Sequence, residues 1–171
     1  MKAAYVRAMD ALYLICVALA GVSLILMALI IPWGVFTRYV LNSGSSWPEP
    51  LSILLMILFT FAGAAACYRA RAHIAVTLFA NLATAPVRTG FALLVEVAMA
   101  ALSLFMVIWG TELVGVTWNQ VIAEFPFLSV GVTYLPLPIG GAITLLFIVE
   151  RAWIGPPSRD SIVFREPASA D

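Results

Sequence analysis

The sequence is short of charge. Of its 171 residues only 11% are charged and 63% are hydrophobic, whereas a soluble domain carries about a quarter charged residues. Mean hydropathy is +1.05. That leaves too little polar surface to cover a water-soluble core, so the chain reads as an integral membrane protein. The formal net charge is zero, so nothing points to a nucleic-acid partner. Cysteine is scarce too: Cys16 and Cys67 each lie inside an apolar run, outside any CxxC pair, which excludes a disulfide framework and a zinc motif. One histidine, His73, cannot supply a bis-His haem site, and no carboxylate or cysteine stands near it at metal-ligand spacing. No nucleophile–base arrangement, phosphate loop or carboxylate pair occurs. Neither an enzyme nor a bound cofactor is expected.

What the sequence does hold is four apolar spans, each near or above the ~20 residues that cross a bilayer. The first covers residues 11–36. It outruns the h-region of a signal peptide, about 7–15 residues, and no small-residue cleavage site closes it, so it reads as a retained helix. Pro32 falls in its last turns. The second covers residues 48–68. Ser46 and Glu49 have the spacing of a capping box, but Pro50 is tolerated only in a first turn, so a helix start at Trp47 or later is expected. Glu49 then suits the positive end of the helix dipole. The third runs from Pro86 to about Trp118, roughly 45 Å at 1.5 Å per residue. It must tilt or project beyond a ~30 Å hydrocarbon core, with Trp109 and Trp118 at its far interface. The fourth covers residues 127–153, and the YLPLPIGG stretch at 134–141 predicts a kink or local unwinding near its middle. The expected fold class is an all-α membrane protein. A four-helix membrane domain occupies residues 1–154, and a polar, disordered cytoplasmic tail residues 155–171.

Four spans put both termini and the loop between spans two and three on one side. Lys2, Arg7, Arg69, Arg71, Arg88, Arg151, Arg159 and Arg165 lie there, and Arg38 alone lies opposite. The Lys/Arg excess marks the cytoplasmic side. The charge gathered in CYRARAHIAV (67–76) therefore marks where the chain leaves the cytoplasmic face. Arg69, Arg71 and His73 become candidate anchors to membrane lipid. Beyond them, His73, Thr77, Asn81 and Thr84 share one helical face, with Ile74, Leu78 and Leu82 on the other. That pattern predicts a short amphipathic helix lying in the interface. A polar-face position accounts for His73 more simply than a ligand or proton-relay role does.

Ionisable groups within spans are candidates for function. Glu96 is the clearest, about 15 Å along the third span. It is protonated, faces a water cavity or pairs with a group on another chain, and a structural or interface role is preferred to proton transport. The AGAAA stretch at 62–66 lets another helix approach closely, in this chain or a neighbouring one.

Four sequence pieces go further. Arg38-Tyr39-Val40-Leu41-Asn42-Ser43 closes the first span, Ser46-Trp47 and Glu49 open the second, Tyr68-Arg69 with His73-Ile74-Ala75-Val76 closes it, and Leu137-Pro138-Ile139-Gly140 sits in the fourth. In order and spacing they resemble the small membrane subunit of TRAP transporters, the tripartite ATP-independent periplasmic transporters of bacteria and archaea, over about residues 5 to 153. Pro50 and Thr77 stand where many members of that family carry an acid. The resemblance implies a bacterial inner-membrane protein with two partners. One is a periplasmic substrate-binding protein that captures an organic acid. The other is a large permease subunit that carries the substrate and sodium sites and moves like an elevator. The small subunit would brace that permease's scaffold. Arg38, Asn42, Trp47 and Glu49 would then shape the periplasmic, partner-facing surface, and Glu96 would contact the large subunit. The alternative is a self-sufficient four-helix exporter acting as a homodimer. Such exporters carry a glutamate in the first span, and residues 11–36 hold no acid; Glu96 keeps the alternative open.

Overall fold

Long apolar stretches with no polar stripe favour helices that bury backbone hydrogen bonds internally and leave apolar side chains on every face. The computed structural model describes residues 2–70 and 85–155, and four helical spans dominate it. They are α1 (Lys2–Tyr39), α2 (Pro48–Arg69), α3 (Ala85–Thr117) and a split fourth span made of α4 (Val130–Tyr134) and α5 (Pro136–Trp153). All four are long and apolar enough to cross a membrane. A small antiparallel hairpin, β1 (Val121–Ile122) and β2 (Phe125–Ser129), joins α3 to α4. The amphipathic helix expected over residues 73–84 and the tail beyond Gly155 lie outside the described residues.

The helix starts and stops follow local chemistry. α1 runs through Pro32 and stops at Tyr39. Asn42 takes a left-handed conformation, φ 44°, a geometry that asparagine tolerates better than most residues. The Leu41 and Ser43 amides turn back onto the Phe36 and Thr37 carbonyls. α2 begins at Pro48 with no side-chain cap. Both prolines thus sit in the first turn, as the start at Trp47 or later requires, and Ser46 caps nothing. The fourth span differs from expectation at its outer end. Residues 125–129 form a strand, so the span opens at Val130, where the Ser129 side chain caps the Gly131 amide. Its break lies at Leu135, near the start rather than the middle. Pro136 and Pro138 supply no amide there, yet Leu135 keeps α-helical angles, φ −52° and ψ −37°, so the break interrupts the helix without unwinding the backbone.

In space the order is α1, α2, α5, α3. Two adjacent glycines let α5 sit centrally. A side chain on Gly140 would come within 2.9 Å of Phe61 in α2, and one on Gly141 within 2.9 Å of the Ser103 carbonyl in α3. Along the α1–α2 seam, Cys16 and Ala20 pack with Ala62, Ala65 and Ala66. The small residues at 62–66 are thus used within the chain. The flanking helices α1 and α3 show most of their apolar surface outward.

Candidate functional site

The helix directions decide which charges meet. α2 and α5 run parallel, so the last turns of both arrive at the end of the bundle where α1 begins. α2 ends in Tyr68-Arg69 and α5 carries Glu150-Arg151. Arg69 and Glu150 are each 4% exposed. The Arg69 guanidinium forks onto the Glu150 carboxylate, Nε donating to Oε2 at 2.8 Å and Nη2 to Oε1 at 2.7 Å. Nη2 also donates to Asp10 Oδ1 of α1 at 2.8 Å. The rings of Phe147 and Tyr13 lie 5.3 and 5.7 Å from the guanidinium carbon, within the range of a cation–π contact. Nη1 is buried and has no hydrogen-bond partner among the described residues.

A second set lies beside the first. The Tyr68 hydroxyl donates to Glu96 Oε2 of α3 at 2.6 Å, and the other oxygen of Glu96 pairs with Arg151 of α5. Arg69 therefore ties α2 to α5 and α1, and Glu96 ties α3 to α2 and α5. All four spans meet in one set of charge-assisted contacts, the stronger kind of hydrogen bond. A buried charge is tolerated only when paired and hydrogen-bonded, so these partners fix one another's positions.

Depth follows from counting residues. At 1.5 Å per residue, Pro48 to Arg69, Glu96 to Thr117 and Val130 to Glu150 each span about 30 Å, one hydrocarbon thickness. Arg69, Glu96 and Glu150 thus share a level, each about one hydrocarbon thickness from the far end of its helix. Glu96 stands well inside the third helix only because α3 begins eleven residues earlier.

This placement revises the sequence reading residue by residue. Arg69 lies inside the bundle rather than against lipid. Glu96 finds its partners, Tyr68 and Arg151, in its own chain. Arg71 and His73 lie outside the described residues. The outer group gathers at the opposite end. Arg38 and Glu49 face each other at 3.9 Å with side chains 60% and 78% exposed; Trp47 precedes α2, and Asn42 terminates α1. Arg38 and Glu49 flank a cleft of about 400 Å³ between α1 and α2. Sequence reasoning missed Asp10, Tyr68, Glu150 and Arg151. The available signal was the parallel course of spans two and four, each ending in a polar pair.

The chain matches the family described as the DctQ component of tripartite ATP-independent periplasmic transporters over residues 27–155. It is also similar to the sialic acid TRAP transporter small permease protein SiaQ of Vibrio cholerae serotype O1. The two are 25% identical over 126 residues, which cover 71% of this chain and 70% of that protein.

Proposed function

The chain belongs to the DctQ family of TRAP transporter components, and from that premise we propose that it is the static partner in uptake of an organic acid. It is a multi-pass membrane subunit of a transport system rather than an enzyme. It holds the scaffold of a large permease subunit, while that subunit carries substrate and sodium and changes shape. A soluble binding protein delivers the substrate, of the class to which the sialic acid in the relative's name belongs. The positive-inside bias puts the termini and the Arg69–Glu150 set on the cytoplasmic side. Arg71 and His73 reinforce that boundary against lipid headgroups. Arg38, Asn42, Trp47 and Glu49 then face the periplasm and help to dock the binding protein.

One observation carries the static role. Asp10, Arg69, Glu150, Glu96, Arg151 and Tyr68 connect all four spans through buried or half-buried contacts. Moving one helix past another would strand a charge in a low-dielectric setting, a cost of several kcal/mol per ion. A carrier that rocks its own helices would not be built this way. The same pairing occupies Glu96, the carboxylate on which a homodimeric exporter would depend.

The test is reconstitution in vesicles. The chain alone, the chain with its large partner, and both with the binding protein are compared under an imposed sodium gradient. Uptake is expected only from the three together and only with the gradient. Solute movement by this chain alone would refute the accessory role.

A further inference from the structure

The cleft between α1 and α2 lies at the end of the bundle opposite the Arg69–Glu150 set. We propose that it binds one phospholipid of the ethanolamine type, its headgroup on Arg38 and Glu49 and one acyl chain along the cleft. The inference rests on the membrane-spanning reading and not on the role in transport.

Three features select this occupant. The first is depth. The apolar lining is Met27, Ile31 and Val35 from α1 and Ile53 and Met56 from α2, with Tyr39, Ser45 and Ser52 nearer the mouth. From Arg38 at the mouth to Met27 at the far end is about 16 Å of helix, the depth of one leaflet of a ~30 Å hydrocarbon core. The second is shape. The cleft holds about 400 Å³, and along its wall Gly34 lets Pro48 approach. A side chain at residue 34 would meet the Pro48 Cβ at 3.0 Å. Unbranched methionines on both walls adapt to a flexible chain.

The third feature is charge. Arg38 ends α1 and Glu49 opens α2, so a cation and an anion stand side by side at headgroup level. They touch only loosely, at 3.9 Å, and both are largely exposed, so a headgroup can enter between them with little desolvation. A phosphodiester suits the guanidinium fork. A primary ammonium, with three N–H donors, suits the carboxylate. Choline has no N–H to donate. A glycerol headgroup brings no cation, and its phosphate is repelled by Glu49. The ordered pair therefore favours ethanolamine over both.

The experiment uses the full chain purified in detergent, delipidated, and offered equal amounts of phosphatidylethanolamine, phosphatidylcholine and phosphatidylglycerol with the same acyl chains. Bound lipid is counted by native mass spectrometry. Ethanolamine lipid is expected to exceed each of the others by about fivefold, the ratio matching one exposed ionic contact. Glu49→Gln is expected to abolish the preference over choline lipid, and Arg38→Gln to weaken binding of all three. Both positions are exposed, so the fold survives either change, and circular dichroism checks it. Ile31→Trp fills the cleft and should cut retention with both charges intact. An ethanolamine lipid carrying a diazirine at the acyl end should label peptides holding Met27 or Met56. Equal occupancy by the three lipids, an unchanged preference in Glu49→Gln, or labelling elsewhere would each overturn the proposal. None of these readouts involves transport, so a failed uptake assay leaves the result standing.

Discussion

Each end of the bundle holds an arginine facing a glutamate, and the two pairs have little else in common. At the end where α1 begins, Arg69 and Glu150 are nearly sealed from solvent, held by two parallel hydrogen bonds and a third to Asp10. At the other end, Arg38 and Glu49 stand mostly exposed at 3.9 Å. Chemistry alone does not set the worth of an ion pair; surroundings and geometry do. The sealed pair contributes structure, because each charge would be stranded without its mate. The open pair contributes almost no stability and keeps its donors and acceptors free for something else. One end is closed to solvent and the other open to it.

The largest expected effect breaks the closed end. Arg69→Met removes the cation between Asp10 and Glu150 and leaves a carboxylate buried without a partner. A loss of about 3–5 kcal/mol is expected, read as the shift in denaturation by an anionic detergent in mixed micelles. Adding Glu150→Leu should recover much of it, since an apolar pair of similar volume often packs as well as an ionic one. Arg69→Lys should fall between, because an ammonium keeps the charge and loses the planar fork. If Arg69→Met cost no more than a surface substitution, the contrast between the ends would collapse.

A smaller effect sharpens the comparison within the closed end. Glu96 and Arg151 are about a quarter exposed, more than Arg69 and less than Arg38. Glu96→Gln keeps an acceptor for Tyr68 and removes the charge opposite Arg151, so a loss of about 1–2 kcal/mol is expected. Tyr68→Phe deletes only the hydroxyl contact and should cost about 1 kcal/mol. Both changes weaken the single carboxylate they share, so the double variant should lose less than the sum. Full additivity would mean that the tyrosine and the arginine act on Glu96 independently.

How far these ends could be read without coordinates differs in the same way. Span number, the position of α3 and the start of α2 follow from apolar length and proline placement, which are local properties. The break at Leu135 was visible as Pro136 and Pro138, but its position depended on where the span began. The short segment at 125–129 hid that, because a brief apolar run reads as strand or helix alike. Arg38 and Glu49 were legible because two consecutive spans and a short loop bring them together. The closed end was not. Arg69 pairs with Glu150, eighty-one residues away, and that contact depends on α5 packing beside α2, which no single span reveals. The same gap turned Arg69 from a lipid anchor into a buried staple and gave Glu96 its partners inside the chain.

The smallest expected effect on stability lies at the open end, and there it is informative because it is small. Arg38→Gln should shift unfolding by no more than about 0.5 kcal/mol, as for most exposed pairs. If this end is the docking face, the same change should nevertheless slow association of the binding protein with the assembled complex. Rim charges act mainly on encounter rates and their salt dependence. Added salt should lower the wild-type association rate and leave the Arg38→Gln rate less affected, because screening at ~0.15 M salt reaches beyond about 8 Å. Measured by surface-immobilised complex at several ionic strengths, an unchanged rate would confine Arg38 and Glu49 to the lipid cleft. A slowed, less salt-sensitive rate with unaltered stability would show that this arginine acts on a partner and not on its own fold.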